Sequence, residues 1–246
     1  MLSPGNRTRQ YQVLALVLAV ALIYLVLRGH LVSVGDFLFL ACLIPSVILH
    51  EVSHGAVALA CGDDTAKRAG RLTLNPLRHV DPFGTIILPA LLILVGAPVI
   101  GYAKPVPVNV GNLRSPRNQG VLVALVGPAV NVALALLAAF LLRYPLASEL
   151  NRAFETGSGA LPWWLQLVVD FGEVNVILAM FNLVPIPPLD GSAVVERLLP
   201  AQWWPAYLSL RRYTMPVLFL VFFFAPQVFA AAIDPAISLW AHLAQG

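Results

Sequence analysis

The sequence predicts an all-α polytopic membrane protein of five to six transmembrane helices, with a re-entrant or membrane-associated segment at 83–109. Three observations lead there. The 246 residues are 59% hydrophobic and only 11% charged, whereas a soluble domain carries about 25% charged residues. The apolar residues gather into runs of roughly 17–24 residues, long enough to cross a hydrocarbon core of about 30 Å. The stretches between the runs are rich in Gly, Pro and Asn, which punctuate helices rather than continue them.

The spanning candidates are 11–28, 37–60, 119–142, 163–184 and 214–233. The first follows Arg7 and Arg9. It is long for a signal-peptide core, and no small-residue cleavage site follows before Asp36, so a retained span is expected. A sixth apolar stretch, 83–101, contains Pro89, Gly96 and Pro98, and its unbroken run is only Ile86 to Val95. That length fits a re-entrant or interfacial segment better than a span. Residues 62–82 and 102–118 read as basic loops, and 143–162 as a polar loop around Gly157-Ser158-Gly159. Cys42 and Cys61 lie near opposite ends of one predicted helix, about 28 Å apart at 1.5 Å per residue, too far to bridge. Trp163, Trp164, Trp203 and Trp204 read as interfacial anchors. The whole of 1–246 reads as a single membrane-embedded domain, with a core at about 37–195 and flanking spans 11–28 and 214–233.

The net charge is +3, but no basic run exceeds Arg211-Arg212, so no nucleic-acid partner is expected. Basic residues instead report orientation. With 83–101 not spanning and the N-terminus inside, twelve Lys and Arg residues fall inside and three (Arg28, Arg143, Arg152) outside. With 83–101 spanning, the split becomes eight to seven. The biased arrangement is preferred. Arg outnumbers Lys thirteen to two, which points to a GC-rich bacterial genome and hence a bacterial cytoplasmic membrane.

Within the span 37–60 lies His50-Glu51-Val52-Ser53-His54. A separation of four residues puts both imidazoles on one helical face, one turn apart. Charged and ionisable groups in hydrocarbon cost about 2.5–3.5 kcal/mol each, so a helix without a function for them would not carry three together. The competing reading is a buried polar network that ties helices together. Catalytic zinc takes three protein ligands and leaves one position open. His79, in the loop 62–82, is one candidate for the third. Asp190 is another, after the proline-rich turn Pro185-Ile186-Pro187-Pro188-Leu189, where Gly191 permits a close backbone approach or a positive φ. Taken alone, Asp190 reads equally well as a helix N-cap for 191–199. Topology favours the ligand: the fold that yields the charge bias also brings Asp190 out on the same side as the histidines.

These segments together resemble the site-2 protease family of intramembrane zinc metalloproteases. The resemblance rests on His50 to His54, Asn75 to Gly84, Gly101 to Asn109, Gly127-Pro128-Ala129-Val130-Asn131 and Asn182 to Gly191, in that order. It covers roughly residues 37–195 and is closest to the short branch lacking PDZ and CBS domains. It implies His50, His54 and Asp190 as ligands of one Zn2+ per chain, and Glu51 as catalytic base. It also implies a site open toward the cytoplasm that cleaves transmembrane helices of membrane-protein substrates in regulated intramembrane proteolysis. Asn131 and Asn182 match positions implied to support substrate or the transition state; interhelical packing is the alternative for both. Lys104 and His79 read either as substrate contacts or as residues among solvent and lipid headgroups. Residues 83–109 are expected to offer an edge to an unwound substrate by strand addition. Rival functions are a membrane metal-ion transporter and a non-catalytic membrane-helix binder. A transporter needs polar residues on both sides of the midplane, and the outer halves of these spans carry almost none.

Overall fold

The computed structural model describes residues 34–81, 84, 87, 104–155 and 161–245. Every regular element among the described residues is helical. The chain partitions into two units, 1–37 with 79–104, and 38–78 with 105–246. In the first, Lys104 N donates to His79 O at 2.8 Å and Gly84 N to Asp81 Oδ1 at 2.8 Å. The second carries the elements that follow.

The long helices are α1 (Val34–Ala60), α3 (Pro116–Arg143) and α5 (Trp163–Asn182). Within them, Phe37–Ala60, Pro116–Arg143 and Trp163–Asn182 are long and apolar enough to cross a membrane. Three of the five expected runs are thus helices of spanning length. The run 11–28 lies outside the described residues, as does nearly all of 83–101. Large apolar side chains such as Phe37, Ile44, Leu122, Leu136 and Phe140 are exposed, as lipid-solvated helices require. Pro45 and Pro128 sit inside α1 and α3, where spanning helices tolerate proline because neighbouring groups re-satisfy the freed backbone. α1 stops at Gly62, whose φ of 113° is strained for any residue with a Cβ. Short helix α2 (Thr65–Arg68) follows.

Two expectations are corrected. The predicted polar loop 143–162 contains a helix, α4 (Ala147–Glu155). It is polar and far shorter than a spanning run, so a reading that follows apolar length passes over it, although Leu146, Leu150 and Ala153 recur at helical spacing. Leu150 anchors it in the core and Arg152 pairs with Glu149 on its exposed face. The predicted span 214–233 is not continuous. After α6 (Ser192–Leu198) and α7 (Trp204–Ser209), α8 (Arg211–Phe224) ends at Ala225, with φ −140° and ψ 53°, and α9 (Pro226–Gln245) begins. Hydropathy runs straight through this break. Pro226 imposes it, because the residue before a proline is pushed out of the helical region.

α9 packs on α3 and α5, which pack on each other. The shared core holds Ala135, Ala138, Ala139 and Leu142 of α3, Leu165 and Val176 of α5, and Trp240 of α9. Trp240 anchors the contact. Its ring lies against Gly172, and its Nε1 donates to Ala135 O at 2.7 Å. An indole N–H buried away from water needs such an acceptor. Both cysteines are free and buried. Trp163 and Trp203 are exposed. Trp204 donates to Leu199 O and lies under the Arg117 guanidinium.

A Cβ at Gly172 would overlap the Trp240 ring. Gly172→Ala should therefore lower stability by about 1–3 kcal/mol, the usual cost of overpacking. Thermal unfolding of the detergent-solubilised protein measures this. Adding Trp240→Leu should relieve part of the loss, and an unchanged melting temperature for Gly172→Ala would remove the contact from the account.

Candidate metal centre

α1 presents His50 and His54 one turn apart, on the face turned toward α3. The helices approach closely there because Gly127 of α3 has no side chain. A Cβ on Gly127 would lie 2.5 Å from His54 Nε2 and 2.6 Å from His50 Cε1. The two imidazoles are nearly perpendicular, at 82°, so each can aim Nε2 at a common point. His54 Nδ1 lies 2.6 Å from Val123 O and His50 Nδ1 2.6 Å from Asn131 Oδ1. Both rings are thereby held at the far nitrogen, leaving Nε2 inward.

The third side chain arrives from the turn after α5. Leu183 to Gly191 forms consecutive tight turns, with Gly191 N donating to Asn182 O at 2.7 Å. The expectation of a close approach at Gly191 is met and that of a positive φ is not. Its φ is −58°, and a Cβ there would run into the Leu183 carbonyl. Asp190 makes no side-chain cap on α6. Its Oδ2 lies 3.1 Å from His50 Nε2 and 3.4 Å from His54 Nε2, which are 3.0 Å apart.

His50, His54 and Asp190 form a group able to hold a metal ion; His79 is not part of it. The donor set fits zinc. Two imidazoles and one carboxylate are a catalytic zinc complement, and neighbouring ligands on a tetrahedral ion at about 2.0–2.1 Å stand about 3.3 Å apart. The 3.0–3.4 Å triangle matches that spacing. Asp190 Oδ2 is buried without a hydrogen-bond donor, because nitrogens that face it as lone pairs have none to give. A carboxylate oxygen that faces imidazole lone pairs is a group that a cation would satisfy.

Glu51 follows His50 on α1. Its Oε2 accepts from Val106 N at 2.8 Å. Val106 stands between Pro105 and Pro107, so its N–H is the sole backbone donor of that tripeptide. Asn131 is fully buried and engaged on both sides, by His50 and by Asn175 Oδ1 at 2.8 Å. Asn182 is half-buried and donates Nδ2 to Leu178 O. Sequence reasoning missed Gly127, Val106, Asn175 and Ser46. The signals were present: a glycine within the stretch Gly127 to Asn131, a lone donor between prolines, and polar residues inside apolar runs.

The segment carrying Val106 is pinned to the end of α1 by Asp63. Its carboxylate accepts from Asn109 N at 2.7 Å, Asn112 Nδ2 at 2.9 Å, and both the N–H and hydroxyl of Thr65. Burial alone would raise this carboxyl, but the four donors outweigh it and hold its pKa at about 2, against 3.8 for a free aspartate. A depressed folded-state pKa adds stability above the unfolded value, which is lost as pH falls through the folded one. The stability difference between wild type and Asp63→Asn should be full at pH 5 and shrink steadily from about pH 4 toward pH 2. Unfolding followed across that range checks it, and a gap independent of pH would show that the charge is not what the donors hold.

Comparison with known proteins agrees with this geometry. A model of Peptidase family M50 matches residues 38–162, a range that ends before Asp190. The chain is 43% identical over 187 residues to a Bacillus subtilis protein named as zinc metalloprotease YwhC, covering 75% of this chain and 78% of that one. It is 33% identical over 181 residues to a zinc metalloprotease-named relative, Rip2 of Mycolicibacterium smegmatis, covering 70% of this chain and 64% of the relative. Against Rip2 of Mycobacterium tuberculosis H37Rv, identity is 32% over 184 residues, covering 74% and 65%. The chain thus spans slightly less than two thirds of the Rip2 proteins. No solved structure matches it. The chain belongs to Peptidase family M50, the site-2 protease family, and is a membrane-embedded zinc metalloprotease.

Proposed function

We propose that His50, His54 and Asp190 hold the zinc ion, that Glu51 is the general base, and that the enzyme hydrolyses peptide bonds within or near transmembrane helices of membrane-protein substrates, in regulated intramembrane proteolysis. The convergence of two imidazole nitrogens and one carboxylate oxygen within 3.4 Å of one another carries this reading. When bound, zinc polarises the scissile carbonyl and makes water a nucleophile near neutral pH.

This chain's own residues do the rest. Glu51 accepts the proton of the attacking water. Its Oε2 is held by Val106 N–H, which fixes the plane of the carboxylate and leaves Oε1 for the reaction. His54 and His50 are locked at Nδ1 and cannot rotate away. Asn131, buried and bonded to His50, orients that ligand, in place of the substrate or transition-state contact implied for it. Asn182, at the end of α5 beside the turn that carries Asp190, keeps that role. The substrate helix unwinds at the cleaved bond, and the backbone at 104–109, which is not helical, lies along it. The charge distribution supports an N-terminus inside and a site facing the cytoplasm, in a bacterial cytoplasmic membrane.

Glu51→Gln should retain zinc and lose cleavage at least 100-fold, as removal of a general base does. The Gln carbonyl still accepts from Val106, so the loop stays in place. Cleavage of a single-span substrate in vesicles, beside metal analysis of the same preparation, reads both quantities. Retained cleavage removes Glu51 as base, and a wild type without zinc removes the metal site. Gly127→Ala should fold yet bind zinc at least 10-fold more weakly, because its Cβ occupies the place of the two imidazoles; metal content after dialysis against a chelator measures it.

A further inference from the structure

Behind the metal centre runs a buried polar relay, and its direction can be deduced atom by atom. Ser46 donates its hydroxyl proton to Cys42 O at 2.8 Å. A hydroxyl has one proton, so Ser46 Oγ can only accept from Asn175, 2.9 Å away. Asn175 also points the same atom at Phe171 O, at 2.8 Å. A backbone carbonyl never donates, so that atom is Nδ2. Asn175 Oδ1 therefore faces Asn131, and the Asn131 atom opposite it, 2.8 Å away, is Nδ2. Asn131 Oδ1 is then left facing His50 Nδ1 at 2.6 Å. Nδ1 must carry a ring proton, and in the neutral imidazole Nε2 is then a bare lone pair.

The two histidines differ here. His54 has its tautomer set by one bond, because Val123 O accepts only. His50 faces an amide that could present either end. Ser46, Asn131 and Asn175 are all 0% exposed, so no water competes to reset the chain. We infer that Asn175 is a positioning residue for the metal centre: anchored on Phe171 O and Ser46, it sets the orientation of the Asn131 amide and thereby the Nε2 lone pair of His50. Partners of this kind are worth about 10–100-fold in metal affinity. The inference rests on the ligand set proposed above.

The test reads the ring proton directly. In metal-free, detergent-solubilised protein labelled with 15N histidine, His50 should carry its proton on Nδ1. In Asn175→Leu, which cannot accept from Asn131, the Nε2–H tautomer of His50 should appear, that of His54 should not change, and zinc should bind roughly 10-fold more weakly. As the neutral acid, which burial favours, Asn175→Asp offers Asn131 its carbonyl oxygen and gives its O–H to Phe171 O. It should keep the wild-type tautomer and most of the affinity. The inference is overturned by Nε2–H in the wild type, which requires no variant to fold. It is equally overturned by a lower melting temperature in Asn175→Leu with His50 tautomer and zinc affinity intact, which would make Asn175 a packing residue only. A wild type that binds no zinc but shows the Nδ1–H tautomer would instead sink the metal-site reading and leave the relay standing.

Discussion

Two imidazole nitrogens and a carboxylate oxygen, held 3.0–3.4 Å apart, form an arrangement that opposes itself unless something positive lies between. In water such groups would turn away and hydrate. Here they are fixed from behind, by the Val123 carbonyl and the Asn131 amide, in helices whose outer faces are apolar. The membrane supplies the constraint: a polar group that cannot reach water must find its partner in the chain. The three inward atoms are thus placed where a cation would satisfy them together.

Close helix approach is what makes that placement possible, and glycine makes the approach. Gly127 lets α1 and α3 meet at the histidines, and Gly191 lets the turn after α5 fold tightly enough to deliver Asp190. Gly172 performs the same service for α9, whose Trp240 packs against it and bonds to Ala135 O of α3. In lipid, apolar contact gains little over contact with acyl chains, so small residues and interhelical hydrogen bonds carry association. The bundle uses both, with Gly127 and Gly172 for the approach of α1 to α3 and of α9 to α5, and the Asn131–Asn175 bond as cross-link between α3 and α5.

The parts of this protein that were legible in the sequence obey strong local rules. The spans over α1, α3 and α5 follow from apolar length alone, and the spacing of His50 and His54 follows from helical periodicity. Asp190 required topology, and the charge bias supplied it. What escaped was short or relational. The helix Ala147–Glu155 is too short and polar to register as an apolar run, and the break before Pro226 is hidden because both sides are apolar. Asn175 and Ser46 are isolated polar residues whose partners lie 44 and 129 positions away in sequence, and no local pattern reports such pairs. Val106 was invisible for a different reason: it acts through its backbone N–H, which every non-proline residue possesses, and only its flanking prolines mark it.

The coupling of Val106 to Glu51 also decides what the 104–113 segment is for. Asp63 ties that segment to the end of α1 through Asn109 and Asn112, and Val106 ties it to the middle of α1 through Glu51. Glu51, both histidines and residues 105–113 are therefore referenced to one helix. A segment that moved independently would drag the carboxylate out of line with the histidines. A segment latched at both points instead holds Glu51 at fixed register to the histidines. Because only one carboxylate oxygen is engaged, the latch orients Glu51 while leaving its other oxygen open, and under the proposed roles the segment belongs to the catalytic frame rather than to a cover over it.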